Sequence, residues 1–284
     1  VGRRGFAGSW ANIGSMTGSL LGVGGAALVA NVFDNPDLMS GGWRLPFLGG
    51  ALLGLFAVWV RRNLHISVRF RKHHEGREDT SPLLEAFTTN RRETLLALAF
   101  AASYGTCYYL AFVYLPEWLS AENLMSRSSA LAINTAMMII VIPAMPMTAI
   151  VGDKLLRRRT WIGLSMLFLG LAAWPLYQWM LVSVGSLASV LAAHLLSFIL
   201  LAVPLGSGPA LFVELFPERD RLSGYSVAFN LGLGVFGGIT PMIATALIAT
   251  TGIVTSPALY LTLASLIAIL ALALMPDRSR EALR

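Results

Sequence analysis

The sequence predicts an all-α membrane protein with eight transmembrane helices, and three observations carry that prediction. Long apolar runs are free of charge; Gly5 to Phe33 contains no charged residue at all. Charged residues make up 13% of the chain, against about 25% in a soluble domain, and the mean hydropathy is +0.67. Of the 21 Lys and Arg residues, 19 fall on one side of the threading these runs define; only Arg44 and Arg127 lie at the opposite interface. Short loops rich in Lys and Arg stay in the cytoplasm, so the same alternation fixes orientation. An even number of spans puts both termini on the cytoplasmic side. Arg3 and Arg4 at one end and Arg278, Arg280 and Arg284 at the other agree with that.

The spans follow in order at about residues 9–33, 43–60, 94–118, 129–151, 160–182, 187–213, 222–250 and 257–275. Each is near the roughly 20 residues needed to cross about 30 Å of hydrocarbon. Lipid offers no hydrogen bonds to the backbone, so a span is either a helix or a strand of a closed barrel. These runs are continuous and long, not short alternating segments, which selects helices. The first ends at an acidic link, Asp34 to Gly42, and the second at Arg61 and Arg62. The uncharged stretches 160–213 and 222–276 are each too long for one helix. They break near Ser183–Ser186 and near Thr250–Pro257, where small turn-forming residues gather. Pro143, Pro146, Pro175, Pro204 and Pro209 fall inside spans and imply kinks or breaks.

One sizeable link, residues 61–92, is polar and separates two spans from six. Its His73–His74 pair lacks the third ligand of a metal site and reads as part of a solvated loop, so no metal is expected. The single Cys107 excludes an internal disulfide. The net charge of +6 belongs to loops facing anionic lipid, and no nucleic-acid partner is expected. The sequence holds no Gly-x-Ser-x-Gly, no His-Glu-x-x-His and no Walker loop, so neither an enzyme nor a cofactor is expected. Gly232 to Gly237 matches a dinucleotide fingerprint, but within a membrane span it lacks the strand and βαβ unit that fingerprint requires.

Four segments resemble the major facilitator superfamily, and within it the metabolite:proton symporter family. Arg3-Arg4-Gly5-Phe6-Ala7-Gly8-Ser9-Trp10 is similar to the family's entry into helix five, and Gly42-Trp43-Arg44-Leu45-Pro46-Phe47 to the start of helix six. Gly152-Asp153-Lys154-Leu155-Leu156-Arg157-Arg158-Arg159 resembles the loop signature between helices eight and nine. Glu214 to Arg219 followed by Ser223 to Asn230 resembles the passage from helix ten to helix eleven. Residues 8–47, 104–119 and 228–247 are most similar to the branch that transports proline and glycine betaine. Two departures are expected to matter: residues 63–67 read Asn-Leu-His-Ile-Ser where the family often has a Glu-rich turn, and the sequence as given stops at Arg284 without the long coiled coil of some proline/betaine symporters.

The resemblance implies a major-facilitator helical bundle whose eight spans correspond to helices five to twelve. Residues 1–60 would be the last two helices of the N-terminal bundle, 61–92 the cytoplasmic inter-bundle loop and 93–284 the C-terminal six-helix bundle. The two-plus-six division and a start at Val1 inside a basic loop lead us to expect that helices one to four are absent from this sequence. The implied activity is proton symport of a small polar metabolite across the inner (plasma) membrane by alternating access, with protons and lipid as partners. Proline or betaine is the first substrate expectation and an organic acid the second. The alternatives are a non-transporting membrane sensor and an inactive truncated remnant.

Candidate functional residues follow from their cost. Asp153 and Glu214 are acids at span ends on the basic side, where orientation needs no acid; with Gly152, Arg157, Arg158 and Arg219 they form the expected cytoplasmic gate. Glu214, Glu218, Arg219 and Arg221 read as a second charged corner. Polar groups within spans are costly in lipid, which singles out Tyr104, Tyr108, Tyr109, Asn134 and Asn230 as substrate-binding candidates. The tyrosine faces suit a quaternary ammonium. His194 is the one ionisable residue well inside a span and the candidate proton relay. Gly14, Gly18 and Gly22, and again Gly234 and Gly238, stand at four-residue spacing, which predicts close helix approach.

Overall fold

The computed structural model describes residues 2–33, 35–63, 88, 90–183, 186–218 and 220–281. Among them eight helices are long and apolar enough to cross a membrane, matching the expected spans to within a few residues at each end. They are α1 (Arg4–Val32), α3 (Leu45–Asn63), α4 (Arg91–Ala121), α5 (Arg127–Lys154), α6 (Arg158–Val182), α7 (Leu187–Leu215), α8 (Arg221–Thr251) and α9 (Ser256–Leu274). A short helix, α2 (Asn35–Ser40), lies between α1 and α3. The second predicted break is a left-handed turn: Gly252, at φ 67°, closes α8, and Pro257 stands in the first turn of α9. The first falls between Val182 and Leu187, where Ser186 caps α7 by accepting the Ser189 N–H. His73 and His74 lie outside the described residues.

The chain divides into two compact units, Val1–Ile13 with Ser81–Arg284, and Gly14–Thr80. In the smaller unit α3 has no buried residue, and the Arg44 guanidinium sits 4.6 Å from the centre of the Trp43 ring. The larger unit is a helical bundle. Its neighbours are α5 with α7, α7 with α6, α6 with α9, α9 with α4, and α4 with α8. The centre of the bundle is α4, with 61% of its most apolar window buried against 22% for α8.

Lipid gives helices no hydrophobic reason to associate, so close backbone approach has to do so. A Cβ on Gly206 of α7 would overlap the Met145 carbonyl of α5. One on Gly170 of α6 would lie 2.9 Å from Ser265 Cβ of α9. Among the described residues the four-residue glycine sets make no such approach: a Cβ on Gly14, Gly18, Gly22, Gly234 or Gly238 would meet nothing within 4 Å. The close contacts in α8 are instead at Gly232 and Gly237. The reason is local. Residues Asn230–Gly237 form a π-helical turn, and so do Leu110–Tyr114 of α4. A π turn has a longer repeat than an α turn, so residues five apart share a face. Gly232 thereby meets Ala101, and Gly237 meets Gly105 and Tyr109, on the single i, i+4, i+8 ridge of α4.

The prolines do not break the spans: α5 runs through Pro143 and Pro146, α6 through Pro175, and α7 through Pro204 and Pro209. A proline withdraws the N–H that the carbonyl four residues earlier would accept. On α7 those carbonyls are Leu200 and Leu205. Leu200 O accepts Ser165 Oγ–H from α6, and Leu205 O accepts Asn12 Nδ2–H from α1 at 2.7 Å. On α7 the gap left by each proline is thus closed by a polar side chain of a neighbouring helix, as an apolar medium demands.

Candidate functional site

Four helix ends converge on the basic side of the larger unit. The last turn of α5 carries Gly152 and Asp153. After a short link, extended at Arg157, α6 begins with Arg158. The last turn of α7 carries Glu214, and the first turn of α1 carries Arg4, Gly5 and Phe6. Arg158 is the hub. Its Nη2 donates to Asp153 Oδ1 at 2.9 Å and to Glu214 Oε1 at 3.1 Å, and its Nε donates to Glu214 Oε2 at 3.0 Å. Arg4 Nη1 reaches Glu214 Oε1 at 3.4 Å. The Gly5 and Phe6 N–H groups donate to Asp153 Oδ1 and Oδ2 at 2.9 and 3.0 Å.

The physics of this cluster is specific. The first N–H groups of a helix have no partner within it and carry the positive end of its dipole. A carboxylate bound across two of them neutralises both features. The side chains of Arg158, Asp153 and Glu214 are only 1%, 3% and 3% exposed. Unscreened charges at that depth are tolerated because each is paired and hydrogen-bonded. Arg158 Nη1 alone has no hydrogen-bond partner in this arrangement. Gly5 makes the approach possible, since a Cβ there would come 2.8 Å from Asp153 Oδ1 and overlap the Arg158 guanidinium. Gly152 serves packing: its Cβ would lie 3.0 Å from Trp161 Cδ1 and 3.2 Å from Ser207 Oγ.

Of the second predicted charged corner, Glu214 belongs with Asp153. Glu214 joins Asp153 through Arg158, while Arg157 is exposed and Arg219 lies outside the described residues. Neighbouring arginines do a different task, donating to carbonyls at helix C-termini. Arg221 Nε binds Val213 O at 2.9 Å and Arg278 Nη1 binds Leu215 O at 3.0 Å, both at the end of α7. Arg159 Nη1 binds Met275 O at 2.6 Å, just past the end of α9. Cations suit that negative end of the dipole. Sequence reasoning missed Arg4 and the α1 amides as partners of the two acids. The signal was present in the Arg3 to Trp10 segment, whose glycine stands directly after the base.

The polar candidates within spans separate into two groups. Tyr104, Tyr108 and Tyr109 lie on α4. Tyr104 is buried and its hydroxyl accepts Asn12 Nδ2 at 3.4 Å. Tyr108 and Tyr109 are half-buried; Tyr108 stacks on Phe112 at 4.7 Å, and Phe112 meets Phe198 of α7 at 4.2 Å. Asn134 of α5 reaches the same place, donating to the Phe112 carbonyl within the π turn at 3.0 Å, with its Oδ1 unpartnered. His194 lies beside Phe198 at 5.8 Å, is fully buried, pairs Nδ1 with Val190 O at 3.1 Å and leaves Nε2 without a partner. Asn230 stands apart: it is exposed and donates to Ser226 O of its own helix at 2.8 Å. No group of three or more metal-ligating side chains occurs among the described residues.

Known proteins point the same way. The chain is 32% identical to a citrate-proton symporter of Klebsiella pneumoniae, over all of this chain and 63% of that protein. It is 26% identical to a glycine betaine/proline/ectoine/pipecolic acid transporter of Dickeya dadantii and 25% identical to a proline/betaine transporter of Escherichia coli, each over 99% of this chain and 58% of the relative. The chain thus spans about three fifths of the length of these curated relatives, all of which are transporters. No solved structure matches it. The sequence profile described as "Sugar (and other) transporter" matches residues 70–283, and with that match across most of the chain the protein belongs to this family of the major facilitator superfamily.

Proposed function

We propose that the chain forms the larger part of a proton-coupled symporter that imports a small carboxylate-bearing metabolite by alternating access. In this reading the eight spans are helices five to twelve, with residues 1–60, 61–92 and 93–284 as end of the first bundle, linking loop and second bundle. Four further helices complete the first bundle. The protein sits in the plasma membrane with both termini in the cytoplasm, as the distribution of its Lys and Arg residues favours.

The observation that carries the proposal is the grip of Asp153 on the first turn of α1, backed by Arg158 and Glu214. Alternating access moves one bundle against the other about a midplane site. A desolvated charge cluster on the cytoplasmic ends of four helices supports one end state of that motion, and withdrawal of α1 from Asp153 releases it. The substrate class follows from chemistry that the named relatives share. Citrate, proline, glycine betaine, ectoine and pipecolic acid all bear a carboxylate. Tyr108 and Tyr109 offer hydroxyl donors to such a group, Asn134 leaves its Oδ1 to accept from a substrate N–H or O–H, and the tyrosine faces serve the cationic end of a zwitterion. His194 is the proposed proton relay.

The test is uptake by proteoliposomes holding the full-length protein. Citrate, proline and glycine betaine are offered with and without an imposed proton gradient. Accumulation that requires the gradient supports symport, and gradient-independent uptake removes it. Binding without uptake would identify a sensor. Asp153→Asn is expected to cut uptake at least tenfold while leaving the protein in the membrane; unchanged uptake would remove the gate.

A further inference from the structure

We propose that the cleft between the start of α4 and the end of α9 binds the headgroup of an anionic phospholipid such as phosphatidylglycerol. The inference rests on the membrane-spanning fold and is independent of transport. The cleft has a volume of about 560 Å³ and is lined by Arg91, Arg92, Leu95, Leu96 and Leu274. Its chemistry divides by depth. Arg91 and Arg92 open α4 and are exposed at its rim. Leu95 and Leu274, next along their helices, are 46% and 59% exposed. Cationic heads over bare leucines at a helix end form the pattern of a bilayer interface.

The rim is also prepared for an anion. Arg92 Nη2 donates to the Leu274 carbonyl at 3.1 Å, which ties its guanidinium across from α4 to α9 and leaves further N–H groups to donate. Asn90, the residue preceding α4, makes no side-chain cap and donates instead to Asp220 at 2.6 Å. The positive end of the α4 dipole is therefore not covered by that side chain. Among the described residues no acid lines the cleft, although Glu93 stands in the first turn of α4. A second basic cleft, between α1 and α5, includes Asp153, which is already committed to the charge cluster.

A phosphodiester meets the arginines as an acceptor of charge-assisted hydrogen bonds, and its acyl chains cover the leucines. Free phosphate would use only the first half of this surface; a zwitterionic lipid brings the same phosphodiester, but its choline cation offsets that charge beside two arginines.

The experiment is native mass spectrometry of the full-length protein in non-ionic detergent, titrated with phosphatidylglycerol or with phosphatidylcholine of the same chains. One phosphatidylglycerol is expected to bind with a preference on the order of 30-fold, the advantage two basic side chains give at an anionic surface. Arg91→Gln with Arg92→Gln should bring that preference close to one, whereas Arg61→Gln with Arg62→Gln should leave it in place. Equal binding of the two lipids, or full binding by the Arg91/Arg92 variant, would overturn the site. Displacement by millimolar inorganic phosphate would overturn the lipid assignment. Should the Arg91/Arg92 variant not fold, a photoactivatable phosphatidylglycerol on the unsubstituted protein decides. Label on peptides carrying Leu95, Leu96 or Leu274 supports the site, and label only elsewhere overturns it.

Discussion

Arg158 and Glu214 meet in a two-pronged pair, Nε to Oε2 at 3.0 Å and Nη2 to Oε1 at 3.1 Å, with 1% and 3% of their side chains exposed. They come from the start of α6 and the end of α7, so neither helix alone explains either charge. Planar, bidentate geometry of this kind is what arginine supplies and lysine cannot. The pair also fixes what Asp153 can do. Asp153 Oδ1 is shared between Arg158 and the Gly5 N–H, while Oδ2 accepts the Phe6 N–H of α1.

Breaking this pair is expected to cost far more than breaking an exposed one. Arg158→Ala leaves two buried carboxylates without their shared guanidinium, which costs about 3–5 kcal/mol, and Glu214→Ala costs less because Arg158 keeps Asp153. The exposed pair Arg127–Glu117, at 2.7 Å with 67% and 49% exposure, is the internal reference. Arg127→Ala should cost less than about 1 kcal/mol. Denaturant unfolding of the purified protein, followed by Trp fluorescence, measures both. Similar losses would show that the cluster is solvated.

Gly5 should be irreplaceable for a reason of space. In Gly5→Ala the new methyl would stand 2.8 Å from Asp153 Oδ1, and either the carboxylate or α1 must move. The same change at Gly14 meets nothing within 4 Å. Gly5→Ala is therefore expected to lower both uptake and thermal stability, with a cost of about 1–3 kcal/mol. Gly14→Ala is expected to leave the melting curve of the 284-residue chain unchanged.

Asn12 and Pro209 form a testable couple. The Leu205 carbonyl lacks a helical donor because residue 209 is proline, and Asn12 supplies one at 2.7 Å. Asn12→Leu should then cost about 0.6–2 kcal/mol, the range for interhelical hydrogen bonds in membranes. In a Pro209→Ala background the backbone N–H returns, and the cost of Asn12→Leu should shrink. A double-mutant cycle reads that difference directly. Additive losses would mean that Asn12 acts through Tyr104, its other partner at 3.4 Å.

Much of this architecture can be read from the residues alone, and the limits have physical causes. Span number and position follow from uncharged length, because lipid tolerates few alternatives. The acids at 153 and 214 stand out because orientation does not need them. What the sequence hides is partnership across distance. Nothing local tells that Arg158, rather than Arg157, turns inward, since both stand in one basic run. The donor to a proline-freed carbonyl is equally hidden, although the carbonyl itself can be counted off four residues before each proline. The α1 amides are invisible in a different way, because backbone groups carry no letter in a sequence.

Glycine spacing is the clearest case of a local assumption failing, and it gives the last prediction. Four-residue spacing selects Gly234 and Gly238 only if α8 is α-helical throughout. Its π turn at Asn230–Gly237 shifts the contact face to Gly232 and Gly237. A Cβ on Gly232 would lie 2.7 Å from the Ala101 carbonyl carbon, and one on Gly237 would lie 2.9 Å from Tyr109 Cδ2. Gly232→Ala and Gly237→Ala should each destabilise by about 1–3 kcal/mol through overpacking. Gly234→Ala and Gly238→Ala meet open space, and the better helix propensity of alanine makes them neutral or stabilising by up to about 1 kcal/mol. Four melting curves rank the substitutions. The reverse order would put residues 230–237 back in α register and remove the ridge of Ala101, Gly105 and Tyr109 as the seat of α8.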